Sequence, residues 1–315
     1  MALPHPTPTA TPAPLSAPEG PDQEIVAGQK REWPLALLLL LPSIAVFGVF
    51  VFYPFVRTIQ LGFYESDPFG NTRYSGIEQY QEVLTSDQFR SSLWVTLQFA
   101  FITVPLGLAL GLGLAVLAHQ RLRGIQIYRT IFSSTVATSV AVASLMWLTL
   151  LNPSIGLVNQ ALDDLGRDRI LFTQSEPWAL WSVSLATVWQ NLGFTFIIMS
   201  AGLQTIPDEL LESARIDGAG AWRRFSHVTL PLLGPTVLFA FVVLSINAFQ
   251  SFGQIDLMTE GGPLGSTTVI VYSIFQRVSS NPGAAAAQAI VLFAIVLTLT
   301  IFQLRVLERR VFYGS

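Results

Sequence analysis

The chain has 315 residues, of which 51% are hydrophobic and only 12% are charged. A soluble domain has about a quarter of its residues charged and cannot bury so much apolar surface, so this composition predicts a membrane protein. The net charge of −3 gives no indication of a nucleic-acid partner, and the absence of cysteine excludes disulfides, thiol catalysis and cysteine metal sites.

The first 30 residues have the composition of a disordered segment. Pro recurs among Ala, Thr and Ser, and a segment of this kind cannot bury a hydrophobic core. The segment also lacks the basic start and the small-residue cleavage site of a signal peptide. We therefore expect residues 1–30 to form a disordered Pro- and Ala-rich cytoplasmic tail, and residues 31–315 to form a transmembrane domain.

Long stretches without Asp, Glu, Lys or Arg follow one another along the rest of the chain. A helix needs about 20 apolar residues to cross the hydrocarbon core, and each stretch has room for one such helix. The helices are predicted at 34–56, 94–118, 128–151, 178–204, 231–255 and 284–306. The expected fold class is all-α, a polytopic membrane protein with about six transmembrane helices.

The basic residues predict which loops face the cytoplasm, because Lys and Arg are enriched on that side of a membrane protein. Of the 17 basic residues, eleven lie in or next to the tail, the 119–127 turn, the 205–230 loop and the C-terminal segment: Lys30, Arg31, Arg121, Arg123, Arg129, Arg215, Arg223, Arg224, Arg305, Arg309 and Arg310. The opposite loops carry six: Arg57, Arg73, Arg90, Arg167, Arg169 and Arg277. Both termini are therefore expected in the cytoplasm.

Several functional classes leave traces that this sequence lacks. Apart from Arg129 and Arg305, which lie near the ends of two of them, the predicted spans contain no Asp, Glu, Lys or Arg, whereas ion-coupled carriers usually bury such groups to bind the driving ion. There is no G-x-x-x-x-G-K-[ST] phosphate loop, so ATP and Mg²⁺ are expected on another chain if transport is active. His5, His119 and His227 are too scattered for a metal site, and no span carries a catalytic cluster, so no catalytic or metal-binding residue is predicted.

A stand-alone channel or facilitator for a small polyol is the alternative at this point. Six spans and the pairs Asn152-Pro153 and Asn281-Pro282 superficially match the aquaporin pattern. That pattern places its two motifs on half-helices that enter the membrane from opposite sides, whereas both pairs here fall in loops on the same side. They are interpreted as turn signals at helix ends.

The loop 205–230 predicts a compact helical elbow. Thr205 and Asp208 fit a capping box, and Gly218 fits the left-handed residue that stops a helix. A second short helix is expected from about Ala221, with Pro231 opening the fifth span. Physical chemistry alone assigns this elbow no more than the role of a solvated connector.

The same loop carries a longer and more specific pattern. Glu212-Ser213-Ala214, Asp217-Gly218-Ala219, Phe225 and Leu230-Pro231 resemble the Glu-Ala-Ala…Gly signature of bacterial ABC importer permeases, from which Ser213 departs. The resemblance implies the type I importer permease (MetI-like) fold in a bacterial inner membrane. It also implies that the first helix of the elbow docks on an ATPase subunit and contains the coupling residues Glu212, Ala214, Asp217, Gly218 and Ala219.

A second resemblance lies between the last two predicted spans. Thr259-Glu260-Gly261-Gly262-Pro263, followed by Thr267, Thr268 and Tyr272, is similar to the Thr-x-Gly-Gly-Pro segment of MalF-type sugar permeases. The resemblance covers roughly residues 35–310, without the extra N-terminal spans and large outer domain of the maltose permease. Within that family the chain resembles the trehalose-importing permeases of mycobacteria, and its Pro-rich tail and Arg-rich composition agree with this resemblance. The resemblance implies a neutral disaccharide as the cargo, with trehalose as the first candidate.

This family resemblance implies a multi-chain importer embedded in the lipid bilayer. The chain would form half of the translocation pathway and perform no chemistry. Its expected partners are a second homologous permease subunit, two ATPase subunits that hold ATP and Mg²⁺, and an extracytoplasmic sugar-binding protein. No cofactor is expected on this chain itself.

Polar residues near the middle of the fourth and fifth spans are the candidate sugar ligands. Neutral amides donate and accept hydrogen bonds without a charge, and an aromatic ring can cover the apolar face of a pyranose. The candidates are Trp189, Gln190, Asn191, Phe194, Asn247, Gln250, Ser251 and Gln254. Asn247, Ser251 and Gln254 have i, i+4, i+7 spacing and are expected on one helix face. For any single residue, adhesion between helices is the equally weighted alternative, whereas the fifth-span cluster favours the pathway.

Overall fold

The computed structural model describes residues 33–66, 72–120 and 124–307. The chain divides into two units, Met1–Arg57 and Thr58–Ser315. The predicted tail, 1–30, lies outside the described residues. The first helix, α1, runs from Trp33 to Leu61 with a π-helical turn at Gly48–Phe52, and it is long and apolar enough to cross a membrane.

A short polar segment leads from α1 to the second long helix. Strands β1 (Tyr64–Ser66) and β2 (Thr72–Tyr74) form an antiparallel pair, and helix α2 (Glu78–Thr85) follows. Helix α3 extends from Asp87 to Ala118, and its N-terminus is capped by Ser86, whose hydroxyl accepts a hydrogen bond from the Phe89 amide at 3.2 Å. α3 therefore begins earlier than the predicted helix 94–118 and ends where that helix was expected to end.

The third predicted helix, 128–151, is wrong as a single straight element. Helix α4 (Ile125–Ser134) passes into a 3₁₀ turn at Thr135–Ala137, and helix α5 (Val140–Leu150) leaves the break at 107°. Ser139 causes the restart, because its hydroxyl accepts from the Val142 amide at 3.2 Å and so caps α5. Ser and Thr hydroxyls compete with helical hydrogen bonds, and residues 133–139 are rich in them.

The fourth predicted helix is confirmed. Helix α6 (Leu157–Asp164) lies in the preceding loop, and helix α7 runs from Trp178 to Gln204, the same bounds as the predicted helix. The loop is held by the buried side chain of Asn159. Its amide donates to the carbonyls of Asn152 (3.3 Å) and Ile170 (3.0 Å) and accepts from the Ile170 amide (2.9 Å).

The fifth predicted helix, 231–255, is broken at two places. Helices α8 (Asp208–Ile216) and α9 (Ala221–Leu232) precede it, and helix α10 (Gly234–Phe249) leaves α9 at 70°. Residues 250–252 are not helical, and helix α11 (Gly253–Met258) starts anew. Two further helices complete the described chain: α12 (Ile270–Val278) and α13 (Pro282–Leu307).

Small residues on α3 allow α7 to pack closely along it. Gly111 and Ala115 lie about one helical turn apart on α3 and are both buried. A Cβ at Gly111 would lie 2.7 Å from Cβ of Thr195 on α7, so only glycine permits this approach. The long helices and bent pairs together give four helices able to span a membrane, or six if each bent pair counts as one span, which agrees with the all-α prediction.

Buried amides join the last helices to their neighbours. Gln303 on α13 donates to the Ser245 hydroxyl of α10 at 3.0 Å, and Gln288 donates to the Ser273 hydroxyl of α12 at 3.2 Å. These residues are buried at helix contacts, and Gln303 and Gln288 do not line the pocket described below. Their amides therefore act as adhesion between helices.

Candidate functional site

A polar pocket of about 290 Å³ forms where the broken helices meet. The start of α5 and the start of α11 pack closely there. A Cβ added at Gly253 of α11 would lie only 2.6 Å from Cγ1 of Val140 on α5. We call this the helix-break pocket; its lining consists of Val140, Thr187, Asn191, Asn247, Gln250, Ser251, Phe252, Gly253 and Gln254. The lining contains amides and hydroxyls but no charged side chain.

Five of the eight candidate sugar ligands line this pocket: Asn191, Asn247, Gln250, Ser251 and Gln254. Asn247 and Gln250 are exposed, and no other described residue hydrogen-bonds to their side-chain amides. Asn191 is half-buried and donates to the Thr187 carbonyl at 3.1 Å. The pocket therefore offers free amide donors and acceptors on one wall.

The prediction that Asn247, Ser251 and Gln254 share one face of a continuous helix is wrong. Helix α10 ends at Phe249, so Asn247 lies on α10, Ser251 on the non-helical link and Gln254 on α11. The three residues meet at the pocket because the chain turns there. The Ser251 hydroxyl is buried without a hydrogen-bond partner in the described part of the chain.

The other candidates lie beside the pocket. Trp189 and Phe194 are half-buried on α7 and do not line it. Gln190 lies behind it, where its amide donates to the Thr138 carbonyl at 3.2 Å and accepts from Nε2 of Gln254. Sequence reasoning missed Val140, Thr187 and Phe252, because only the breaks in α4–α5 and α10–α11 bring them together.

The glycine-rich segment after α11 is a locked turn. The Thr259 and Thr267 hydroxyls lie 2.7 Å apart, and the Thr267 hydroxyl donates to the Gly262 carbonyl at 2.8 Å. Gly261 has a φ of 80°, and a Cβ there would lie 2.8 Å from Cε1 of Tyr272. Burial raises the pKa of the Tyr272 hydroxyl, which stays neutral at physiological pH. The residues of the sugar-permease pattern therefore close this turn against α12.

The elbow between the fourth and fifth spans has the two short helices that the sequence predicts. Gly218 ends α8 with a φ of 76°, and the Ala219 amide bonds to the Ala214 carbonyl at 3.0 Å, as in a Schellman motif. Arg224 on α9 donates to the Ala219 carbonyl at 3.0 Å and fixes the turn to the second helix. The capping box is wrong, because the Thr205 hydroxyl donates back to the Gly202 carbonyl at 2.8 Å.

The surface of the elbow presents both charge and apolar area. Glu212, Asp217 and Gly218 are exposed, and Ala214 and Ala219 are half-buried. Two large apolar side chains are also exposed, Ile216 at 87% and Trp222 at 77%. Exposed apolar side chains rimmed by charge are typical of a protein–protein contact.

A cleft of about 560 Å³ separates the elbow from the end of α3. His119 and Gln120 line one side of it, and Asp208, Glu212 and Arg215 line the other. Arg129 stabilises the end of α3 by donating to the Ala118 carbonyl from Nε (3.2 Å) and Nη2 (2.8 Å). Glu212 thus lies where α8 faces the end of another long helix. Within the described ranges, no group of three or more His, Cys, Asp or Glu residues could hold a metal ion.

Bent helices around a neutral polar pocket, with a helical elbow between the fourth and fifth spans, define a membrane permease. The chain belongs to the family of binding-protein-dependent transport system inner membrane components, which matches residues 104–313. It is therefore an inner-membrane permease of the ABC importer class, of the sugar-transport type. This confirms the family predicted from the two sequence patterns.

Three similar proteins support this assignment, and each aligns with nearly the whole chain. The sn-glycerol-3-phosphate transport system permease proteins UgpA of Yersinia pestis bv. Antiqua and of Rhizobium meliloti are 34% and 37% identical, each covering 89% of this chain and 96% and 97% of the relative. A bacterial ABC transporter involved in the import of the acidic polysaccharide alginate has a chain with a TM-score of 0.78 and 25% identity, covering 91% of this chain and 99% of that one. None of these three is named for trehalose, so the trehalose expectation gains no support from them.

Proposed function

We propose that this chain forms half of the translocation pathway of an ATP-driven importer for a neutral sugar, with a disaccharide as the cargo. The observation that carries the proposal is the helix-break pocket, whose polar side chains on this chain are all neutral amides and hydroxyls. Such groups bind hydroxyls in either direction without the desolvation cost of a charge. Alternating access then moves the sugar past the pocket.

The pocket also argues for a neutral cargo over the anionic ones that the relatives are named for. Glycerol 3-phosphate and an acidic polysaccharide both carry negative charge, and proteins usually bind such groups with Arg or Lys. The pocket wall on this chain contains neither. Trehalose, as a neutral disaccharide, is the first substrate to test.

The elbow is proposed to dock on a separate ATPase subunit. Its exposed Ile216 and Trp222, with Glu212 and Asp217 beside them, supply an apolar and charged surface that lies outside the helix bundle. The complete importer would contain a second homologous permease, two ATPase subunits with ATP and Mg²⁺, and an extracytoplasmic sugar-binding protein. This arrangement requires the elbow and both termini to face the cytoplasm.

The test compares assembly with transport on the same preparations. The assembled complex is purified, and uptake of labelled trehalose, maltose and glycerol 3-phosphate into proteoliposomes is measured with the binding protein present. Asn247→Ala and Gln250→Ala should each reduce sugar uptake while the yield of complex stays unchanged. Gln303→Leu is the matched control, because its amide joins α13 to α10 away from the pocket and should lower yield and uptake together.

Two results would contradict the proposal. Import of glycerol 3-phosphate with no uptake of either sugar would overturn the neutral cargo. Loss of yield in step with uptake in both the Asn247 and Gln250 variants would show that the pocket amides hold helices together.

A further inference from the structure

A chain of amide hydrogen bonds connects the break in the third span with the break in the fifth. Thr138 lies at the α4–α5 break, where its backbone is extended. Gln190 of α7 donates its Nε2 to the Thr138 carbonyl at 3.2 Å. The Oε1 atom of Gln190 in turn accepts from Nε2 of Gln254, the second residue of α11. The fourth span thus links both breaks through one side chain.

The Thr138 carbonyl fixes the direction of both hydrogen bonds in this Thr138–Gln190–Gln254 series. A backbone carbonyl can only accept, so Gln190 must turn its NH₂ group towards Thr138 and its oxygen towards Gln254. An amide oxygen also only accepts, so Gln254 must turn its NH₂ group towards Gln190. If either amide were reversed, two oxygens or two NH₂ groups would face each other.

In this series of hydrogen bonds, Oε1 of Gln254 is the acceptor that is left without a donor. It accepts no hydrogen bond from any residue in the described parts of the chain, and Gln254 lines the helix-break pocket. Gln254 is only 6% exposed, so its side chain cannot rotate freely into solvent. The wall of the pocket therefore presents a fixed acceptor at this point, whereas the free amides of Asn247 and Gln250 can turn to donate or accept.

We infer that Gln254 selects cargo by requiring a donated hydroxyl hydrogen, and that Gln190 is the positioning residue that sets this requirement. The inference rests on the proposed function and adds to it the hydrogen-bond polarity of one contact. A sugar hydroxyl can donate to Oε1 of Gln254. A fluorine or a methoxy group at the same carbon cannot, and would leave that acceptor without a donor from the cargo.

The first experiment measures discrimination between a sugar and its fluorinated analogues. Uptake of labelled trehalose by the complete complex is competed with trehalose analogues that carry fluorine in place of one hydroxyl at a time. In the wild type, at least one analogue should compete about fivefold or more weakly than trehalose, because loss of one hydrogen bond costs on the order of 1 kcal/mol. Maltose and its analogues serve in the same way if maltose is the better substrate.

Variants then separate positioning from structure. Gln254→Leu and Gln190→Leu should both reduce that discrimination to about twofold or less, although Gln190 does not line the pocket. Gln303→Leu, which removes an adhesive amide elsewhere, should keep the wild-type discrimination even if the complex is less stable. Discrimination that survives intact in Gln190→Leu, or a wild type that accepts every fluorinated analogue as well as the parent sugar, would overturn the inference.

A second measurement is independent of the cargo. The apparent Tm of the purified complex is compared for Gln190→Leu, Gln254→Leu and the double variant. The decreases in Tm should not be additive: the Tm of the double variant should fall by clearly less than the sum of the decreases in the two single variants. Additive losses would show that the two amides are not coupled and would overturn the inference. Failure of both sugars in the uptake assay, with coupled amides here, would instead overturn the proposed cargo and keep the acceptor assignment.

Discussion

At Gly193 the bent third span presses closely on the fourth. A Cβ there would lie 2.6 Å from Oγ1 of Thr135, 2.8 Å from the Val136 amide nitrogen and 3.0 Å from the Ser133 carbonyl oxygen. The Gly193 amide also donates to the Thr135 hydroxyl at 2.7 Å. Two of the three obstructing atoms belong to the backbone and cannot rotate away, so Gly193→Ala must push α7 off the break.

The loss of stability expected for Gly193→Ala can be estimated from these distances. Ordinary non-bonded contacts begin at about 3.5 Å, so the backbone contacts require a displacement of roughly 0.5–0.7 Å. Overpacking of this kind costs about 1–3 kcal/mol, and the stretched hydrogen bond to Thr135 adds about 1 kcal/mol. Because Gln190 lies one turn before Gly193, the same displacement also loosens its hydrogen bond to Thr138.

We therefore expect Gly193→Ala to lower the apparent Tm of the purified complex by several degrees and to reduce sugar uptake. Gly113→Ala is the matched control, because this glycine is also in a long helix but has no atom within 4 Å of an added Cβ. It should leave the Tm unchanged or slightly raised, since alanine favours the helix. Equal Tm and uptake in the two variants would refute the packing argument at the break.

Three further outcomes are expected. Gly218→Val should uncouple ATP hydrolysis from uptake without preventing membrane insertion, because valine is strained at the φ of 76° that ends α8; wild-type uptake would contradict this. A tag in loop 152–177 should be labelled from outside intact cells and the 205–230 loop should not, and the reverse pattern would invert the orientation. Trp189→Ala should lower yield and uptake together, because Trp189 does not line the pocket; normal yield with lost uptake would place it on the pathway.

The spans were predictable from sequence because the part of a helix that crosses the hydrocarbon core is apolar and rarely contains a charge. This rule located α1, α3, α7 and α13, although it placed the start of α3 too late. Gly218 was also predictable, since a left-handed stop needs a residue without a Cβ. These features depend on local composition, which a single sequence contains.

The breaks were not predicted, because apolar composition is the same in a straight and a bent helix. The local signals were the Ser- and Thr-rich run at 133–139 and the pair Gly234-Pro235, which begin new helices at α5 and α10. Asn247, Ser251 and Gln254 were expected on one continuous helix face, whereas the structure has a break between α10 and α11. Their real arrangement depends on a contact between Gln190 and Gln254, which are 64 positions apart, and spacing along one helix cannot reveal it.

As a subunit of an ATP-driven importer, this chain should move a sugar only when an ATPase subunit acts on it. The direct measurement is uptake of labelled trehalose and maltose into proteoliposomes that hold either the permease pair alone or the complete complex with ATP and the binding protein. We predict that the complete complex accumulates sugar above the outside concentration and that the permease pair alone passes none. Equilibration of either sugar through the pair without an ATPase would contradict it and would identify a facilitator.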